Sequence, residues 1–394
     1  MSKKMLTISL IVLILFVNIA ISQQKTTEQI ILEEQQKMLE MQNEFLQQQE
    51  EIQQQYLQYE QQISNEYEAI ERAEAQRIKE MEDRIREQWN DTKVSTNKEF
   101  VNYDEDFKGR GSVDFENGEV EIEVIQDEKE KNSNEALQNL KKQLENLIKQ
   151  EDEKGNPILE KQLKDDGGKA VTKKESKKIV EDYSKQGKIK EEKIKGGDGK
   201  TKYKYTIKMK LVPDHLRVRL DVYKDEILKQ SERFKIDPAL VCAIIHTESY
   251  FNPKAKSHVP AYGLMQLVPK SGARDAYFFV YKKDKLLRSK YLFQPSNNIE
   301  LGCGYISLLK FSYLKKIKGD DKNDICAICA YNTGAGNVAR AINGTTNINK
   351  ASTIINAKDY AWLNKKLMSD LPYKETKNYL KKVTERREIY KRAL

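Results

Sequence analysis

Apolar residues recur every seven positions near the start of the chain. Between Lys25 and Ala75 the sequence is rich in Gln and Glu and contains neither Gly nor Pro. The repeat consists of Ile31, Met38, Phe45, Ile52 and Tyr59. A seven-residue apolar repeat predicts a long helix with a coiled-coil seam. A coiled-coil seam has a second core position in each heptad, and many of these positions are polar here. A solvated, partly disordered arm is therefore the alternative for residues 23–76.

An almost wholly apolar run from Met5 to Ile21 precedes this arm and follows two lysines. That pattern predicts export, with residues 1–22 acting either as a cleaved signal peptide or as an uncleaved signal anchor. We expect a periplasmic or cell-envelope protein, attached to the inner membrane if residues 5–21 are retained. No cysteine precedes Cys242, so no lipoprotein cysteine is expected.

Strict alternation of apolar and polar residues marks the middle of the chain. Val113 and Phe115 lie on one side of Asn117-Gly118, and alternating apolar residues follow at 120–124. This pattern predicts a β-hairpin. Residues 137–147 carry a leucine stripe at helical spacing, and residues 203–211 alternate again. We therefore predict a small α+β domain at 77–212, interrupted by a disordered, Lys- and Glu-rich insertion near 151–200.

The pattern after Pro213 is helical to the end, and this part also carries the basic charge. The formal net charge of +8 arises from residues 201–394, whereas the first 200 residues are net negative. Such an excess suits an acidic polymer: nucleic acid, anionic lipid or a carboxylate-bearing cell wall. A lysine-rich soluble surface accounts for much of it equally well.

One acid lies on the buried stripe of a predicted helix. Asp237 and Pro238 suit the N-cap and the first helical position. Val241, Ile244 and Ile245 precede Glu248 by seven, four and three positions, which places Glu248 on their face of the helix. Apolar surroundings favour a neutral carboxyl, as a general acid near neutral pH requires. A solvated or capping glutamate is the alternative.

Three later loops are rich in small and polar residues, at 252–263, 331–336 and 375–379. Cleavage of a glycosidic bond needs an acid at the leaving oxygen and a group that stabilises the developing positive charge. The acids nearest to Glu248 in sequence are Asp275 and Glu300, and no motif positions either. Polar groups available to a lone acid are Ser257, Gln266, Tyr331 and Asn332.

Cysteine and histidine usage gives no metal motif. Cys326 and Cys329 have the spacing of a redox or zinc pair, but they lie in an apolar helical run without a second pair. Buried thiols are expected, with a disulfide as the alternative. We expect His246 and His258 to be structural or exposed.

Four ordered motifs carry a family resemblance. They are Glu248-Ser-x-Phe-Asn-Pro253, Ala261-Tyr-Gly-Leu-Met-Gln266, Ala330-Tyr-Asn332 with Gly334-Ala-Gly336, and Glu375-Thr-x-x-Tyr379. Together they resemble soluble-lytic-transglycosylase (SLT) domains of glycoside hydrolase family 23. Trp89 to Ile125, Leu211 to His215 and Asn298 to Gly302 further resemble the membrane-bound lytic murein transglycosylase C family.

The resemblance implies a mainly α fold, with a lysozyme-like catalytic domain at 213–394 behind the α+β domain and the long helix. It implies non-hydrolytic cleavage of the MurNAc–GlcNAc bond of peptidoglycan, without a cofactor, a metal or a nucleic-acid partner. Glu248 would protonate the leaving oxygen and then deprotonate the C6 hydroxyl of MurNAc. The substrate's N-acetyl group would replace a second carboxylate.

The remaining site residues also follow from the resemblance. Ser257 would orient the acetamido group, and Tyr379 would reach Glu248. Sugar subsites would be lined by Gly263, Met265, Gln266, Tyr331 and Asn332.

Two departures from the family pattern stand out. Thr333 occupies a position that is usually Gly, and the lipidated N-terminal cysteine is absent.

A lysozyme-type hydrolase and a non-catalytic wall-binding scaffold are the competing functions. The coiled-coil arm would mediate self-association or bind another protein.

Overall fold

The computed structural model describes residues 3–164, 176–258 and 260–394. The chain divides into two compact units, Met1–Gln76 and Arg77–Leu394. Helix α1 (Lys3–Gln88) is continuous, and its apolar residues Met38, Phe45 and Ile52, within the first unit, are exposed. The predicted long N-terminal helix is confirmed, while its pairing in a coiled coil stays a prediction. Within the described ranges, no helix has the length and apolar character needed to cross a membrane. The first two residues of the predicted leader, 1–22, lie outside those ranges.

A five-stranded antiparallel sheet begins the second unit. Its strands are β1 (Glu99–Tyr103), β2 (Gly109–Asp114), β3 (Glu119–Asp127), β4 (Lys190–Lys195) and β5 (Thr201–Lys210), in the order β1-β2-β3-β5-β4. The predicted hairpin joins β2 to β3, with Val113 opposite Val120 and Gly118 at a positive φ of 64°. A 3-10 turn (Glu128–Glu130) leads into α2 (Ser133–Ile148), whose buried face includes Leu140, Leu144 and Leu147. These leucines share a core with the sheet.

The segment expected to be a disordered insertion differs from that expectation wherever it is described. Ile158 and Leu163 are buried in the sheet's core. Helix α3 (Ser176–Lys185) packs against α2, and β4 forms the edge of the sheet beside β5. Residues 165–175 lie outside the described residues. The Lys- and Glu-rich composition reflects an exposed edge strand, whose charged side chains remain in solvent, rather than a lack of structure.

Helices make up the rest of the second unit. They are α4 (His215–Phe234), α5 (Pro238–Ser249), α6 (Gly272–Tyr281), α7 (Ser289–Leu292), α8 (Pro295–Leu308), which continues as a π-helical turn (Leu309–Tyr313), α9 (Asp320–Thr333), α10 (Ala335–Asn343), α11 (Ile348–Asn356), α12 (Tyr360–Asp370) and α13 (Lys374–Ala393). The predicted mainly α class with a small α+β part is confirmed. The helices enclose a core that is separate from the sheet's core within one compact unit, and the domain boundary expected at 212/213 stays a prediction.

Helix α5 lies at the centre of this helical part and packs against α4 and α13. The Asp237 carboxylate caps it by accepting from the Ala239 amide at 2.9 Å, as expected. The helix ends at Ser249, because Tyr250 and Phe251 both take left-handed conformations, with φ of 52° and 60°. Tyr250 packs into the core of the α+β part. The end of α5 therefore lies where the two cores meet.

Candidate active site

Glu248 lies in the last turn of α5 and is half-buried. Burial raises the pKa of its carboxyl to about 8, the nearby Tyr379 hydroxyl opposes that rise, and the negative charge of Glu375 adds to it. A carboxyl with this pKa is protonated at neutral pH and can also give up its proton there. The chemistry expected of a general acid and base is therefore available at this position.

Both groups that act on Glu248 come from α13. Glu375 and Tyr379 are four positions apart and so lie on one face of that helix. Tyr379 is buried, and burial raises the pKa of its phenol well above its ordinary value. Between them, Thr376 donates from Oγ1 to Oδ1 of Asn332 at 2.7 Å. The fourth motif thus contacts both the acid and the third motif.

A cleft of about 550 Å³ opens beside these helices. Its walls include Gln266, Tyr305, Tyr331, Asn332, Thr333, Gly334, Tyr373, Glu375 and Thr376. The structure therefore brings together three of the predicted sugar-binding residues: Gln266, Tyr331 and Asn332. The Tyr331 hydroxyl donates to the Met265 carbonyl at 2.8 Å, and its ring packs 5.4 Å from that of Tyr305.

Two predicted sugar-binding residues are buried rather than part of the cleft wall. Gly263 has a φ of 75°, and a Cβ there would lie 2.4 Å from the Leu292 carbonyl oxygen. Met265 is fully buried, and a Cβ on Gly302 would lie 2.1 Å from its sulfur. Gln266 ties the same loop, because its Nε2 donates to the carbonyls of Ala255 and Gly263 at 3.0 and 2.9 Å. This loop is therefore packed tightly behind the cleft.

Asn298 organises the loop, a role that the sequence did not reveal. Its Oδ1 accepts from the Met265 amide at 2.7 Å, while its Nδ2 donates to the carbonyls of Tyr262 and Leu292 at 2.8 Å each. The residue is fully buried. Asn298 opens the stretch Asn298 to Gly302 that carried part of the family resemblance, which was the available signal.

Ser257 lies on a different cavity. This second cavity, of about 910 Å³, is lined by the end of α1, by residues between 93 and 107 and by the loop after α5. They include Val94, Asn97, Tyr103, Phe107, Lys256, Ser257 and His258. The predicted contact of Ser257 with the acetamido group stays a prediction.

Asp275 and Glu300, the two acids nearest to Glu248 in sequence, do not line the cleft. Glu300 accepts from Arg233 at 2.5 Å and from the Tyr281 hydroxyl at 2.6 Å. Asp275 accepts from the Tyr313 hydroxyl at 3.4 Å. Glu375 is the acid that the fold brings to Glu248, from 127 positions along the sequence. Glu375 opens the fourth motif, but its approach to Glu248 could not be read from its distance along the sequence, because a separate helix carries it.

The thiols and imidazoles have structural surroundings. All four cysteines are buried and free, and burial raises the pKa of Cys326 to about 12. His246 lies beside Tyr390, with Nδ1 3.1 Å from its hydroxyl, and His258 is exposed. Among the described residues, no group of His, Cys, Asp or Glu is arranged to hold a metal ion.

Two regions of the chain match models of known protein families. Residues 225–354 match the family model for the Transglycosylase SLT domain. Residues 60–221 match the model for the N-terminal domain of membrane-bound lytic murein transglycosylase C. The first match lies within the helical part, from α4 to α11, and the second covers the end of α1, the α+β part and the start of α4.

Curated relatives carry the same description. Proteins named membrane-bound lytic murein transglycosylase C from Sodalis glossinidius and Pectobacterium atrosepticum are each 38% identical over 188 residues, which is 48% of this chain and 52% of the relative. The chain thus spans about half the length of these relatives. The 70 kDa soluble lytic transglycosylase SLT70 from Escherichia coli aligns over 45% of this chain and 25% of its own, with 25% identity and a TM-score of 0.34.

Proposed function

We propose that this chain, which belongs to the membrane-bound lytic murein transglycosylase C family, cleaves the β-1,4 bond between MurNAc and GlcNAc in peptidoglycan without using water. The observation that carries the proposal is the state of Glu248: a single half-buried carboxyl whose pKa is raised to about 8. Its products would be GlcNAc ends and 1,6-anhydroMurNAc ends. The cell would use such a reaction in wall turnover or remodelling.

In the first step Glu248 donates its proton to the glycosidic oxygen, and the bond from that oxygen to the anomeric carbon breaks. The substrate's own N-acetyl oxygen stabilises the positive charge at that carbon. Glu248 is then a carboxylate, and the Tyr379 hydroxyl supports this charged form. No second protein carboxylate is required at this step.

In the second step Glu248 takes the proton from the C6 hydroxyl of MurNAc. The C6 oxygen bonds to the anomeric carbon and displaces the N-acetyl oxygen, which closes the 1,6-anhydro ring. Glu248 returns to its neutral form, so the proton balance closes with no water consumed. One group can serve as acid and then as base because its pKa lies near the working pH.

The glycan would bind in the cleft beside Glu248. Gln266, Tyr331 and Asn332 would contact sugar, while Gly263 and Met265 would support that wall from behind. Ser257 would contact the acetamido group, and Tyr379 would hold the acid. The basic excess of residues 201–394 would favour a carboxylate-bearing polymer.

Digestion of purified sacculi tests the reaction. Wild type is expected to release muropeptides with the 1,6-anhydro mass, and Glu248→Gln to release none, because an amide cannot donate or accept the proton. Glu385→Gln, an exposed glutamate on α13, is the matched control and should retain wild-type activity. Equal release of anhydro-muropeptides by wild type and Glu248→Gln would overturn the proposal.

A lysozyme-type hydrolase is the second candidate, and the Glu375 carboxylate in the cleft is the observation that favours it. A second carboxylate can activate water on the opposite face of the sugar. Such an enzyme would give reducing-end products that are heavier by one water. Loss of those products in Glu375→Gln would support hydrolysis. Sacculus binding with no cleavage product would instead indicate a wall-binding scaffold.

We also propose that residues 23–76 pair with a second copy of the chain as a coiled coil. The seven-residue repeat is exposed along a continuous helix, so its apolar face is available to a partner helix. Residues 5–21 would direct export and place the enzyme in the cell envelope, either released or held at the inner membrane. Fractionation of cells that carry an epitope-tagged chain separates these two states.

A further inference from the structure

The C-terminal end of α5 receives hydrogen bonds from three other parts of the molecule. The last carbonyls of a helix have no partner within the helix. Arg386 of α13 donates to the His246 carbonyl at 3.0 Å, and Arg219 of α4 donates to the Tyr250 carbonyl at 2.9 Å. Asn97 donates from Nδ2 to the carbonyl of Glu248 itself, at 3.0 Å.

The carbonyl of Glu248 has no helical donor of its own. In a continuing helix it would accept from the amide of residue 252, but that amide donates to the Ser249 carbonyl at 2.9 Å. The left-handed residues Tyr250 and Phe251 cause this change of partner. The Asn97 side chain therefore supplies the bond that the end of the helix lacks.

Asn97 belongs to the α+β part, in the segment that leads into β1. The Thr96 hydroxyl accepts from the amides of Lys98 and Glu99 at 3.2 and 3.0 Å, which closes a tight turn around Asn97. On the other side, the Lys256 amide donates to the Thr96 carbonyl at 3.4 Å. The turn is thus joined both to the sheet and to the loop that follows α5.

We propose that Asn97 is a positioning residue for the catalytic acid, through which the α+β part fixes the backbone of Glu248. The inference rests on the proposed function, because it matters only if Glu248 is the acid. Asn97 fixes the carbonyl, whereas burial, Tyr379 and Glu375 act on the carboxyl. Removing the amide donor leaves the helix end free to shift beneath an otherwise intact cleft.

Kinetics of the full-length chain on sacculi tests this role. Asn97→Ala is expected to lower kcat about tenfold or more, since a misplacement of ~1 Å can cost ~100-fold. KM should stay within about twofold, because binding energy comes from the cleft and not from the helix end. Asn134→Ala, an exposed asparagine of α2, is the matched control and should leave both constants unchanged.

Asn97→Asp provides a second variant of nearly the same shape. Its carboxylate accepts instead of donating, so kcat should fall at least as far as in Asn97→Ala. Its negative charge should also move the alkaline decline of kcat/KM to higher pH, because a nearby anion disfavours ionisation of Glu248. This shift reports only that position 97 lies near Glu248, whereas the fall in kcat at constant KM reports the positioning role.

The outcomes separate the two proposals. Active wild type with unchanged kcat in folded Asn97→Ala and Asn97→Asp overturns the positioning role and leaves the function standing. A rise in KM alone also overturns it, since Asn97 would then act in binding. Wild type that releases no anhydro product overturns the function itself. Thermal melting of each variant confirms that the protein compared is folded.

Discussion

At the scale of single residues, three influences of differing direction set the protonation of Glu248. Burial and the charge of Glu375 raise the pKa of the carboxyl, and the Tyr379 hydroxyl lowers it, with a resulting value of about 8. Each influence comes from an identifiable group, so each can be removed separately. The sign of the change in pKa then reports the role of the group.

The pH profile of kcat/KM should decline above about pH 8, because the acid form of Glu248 is lost there. Glu375→Gln removes a negative charge, so the decline should begin at lower pH. Tyr379→Phe removes a donor to the carboxylate, so the decline should begin at higher pH, with a lower maximum. Initial rates across a pH series measure the alkaline decline in each variant, with Glu385→Gln as control. Shifts of the same sign in both variants would contradict this account of the site.

Glu248→Gln should stabilise the folded protein while abolishing cleavage. The folded carboxyl has a pKa of about 8 against an ordinary 4.5, so the native state binds more protons than the unfolded state between those values. Wild-type stability should therefore fall as pH rises from about 4.5 to 8, and the glutamine variant should escape this loss. We expect a gain of about 1–2 kcal/mol in the free energy of unfolding at pH 7.5.

Denaturant unfolding at two pH values checks this expectation. At pH 4 the Glu248 carboxyl is neutral in both states, so the difference between wild type and Glu248→Gln should nearly vanish. A gain that is equal at both pH values would point to packing rather than to ionisation.

At the scale of elements, tightly packed loops support the cleft. The side-chain amide of Asn298 holds the loop at 261–267 through hydrogen bonds. Glycines without a Cβ allow the surrounding atoms to pack closely against it. Local pattern predicted the hairpin and the start of α5, because alternation and capping are properties of neighbouring residues. The edge strand β4 was missed, because five of its six residues are charged and none is buried, so its sequence resembles solvated coil.

Gly263→Ala should destabilise the protein more than the matched variant Gly344→Ala. Both glycines have nearly the same φ, 75° and 74°, but only Gly263 has backbone in the space of a Cβ, with the Leu292 oxygen at 2.4 Å. The shared φ should cost each variant about 1 kcal/mol, and the clash should cost Gly263→Ala a further ~1–3 kcal/mol.

The free energies of unfolding of the two glycine variants, measured side by side in denaturant, give this difference directly. Gly263→Ala should also lose cleavage activity, because the loop carries Met265 and Gln266. Equal destabilisation of the two variants would show that the Leu292 carbonyl shifts away from the added Cβ at little energetic cost.

At the scale of the whole molecule, a long helix precedes a compact unit with two large cores and one small one. The proposed self-association of residues 23–76 predicts an oligomer that depends on the seven-residue repeat. Phe45→Lys with Ile52→Lys should give a monomer, because a charge at a seam position is not tolerated between paired helices. Light scattering after size exclusion measures the mass. Gln54→Lys, outside the repeat, should leave it unchanged, and a monomeric wild type would contradict the proposal.

The sequence by itself predicted most of the elements and singled out Glu248 as the candidate acid. Capping at Asp237, the apolar stripe below Glu248 and four ordered motifs are all local patterns, and local patterns follow from backbone geometry and burial. The buried thiols and the long helix were predictable for the same reason.

Only the tertiary structure decided what surrounds that acid. It brought Glu375 near Glu248, joined Asn97 to the Glu248 carbonyl, placed Asn298 behind the cleft and put Ser257 on another cavity. These partners lie on segments far apart in the chain, and their approach depends on how the two cores pack. No periodicity within a single segment encodes that packing. Local sequence pattern alone therefore could not predict which groups raise and which lower the pKa of Glu248.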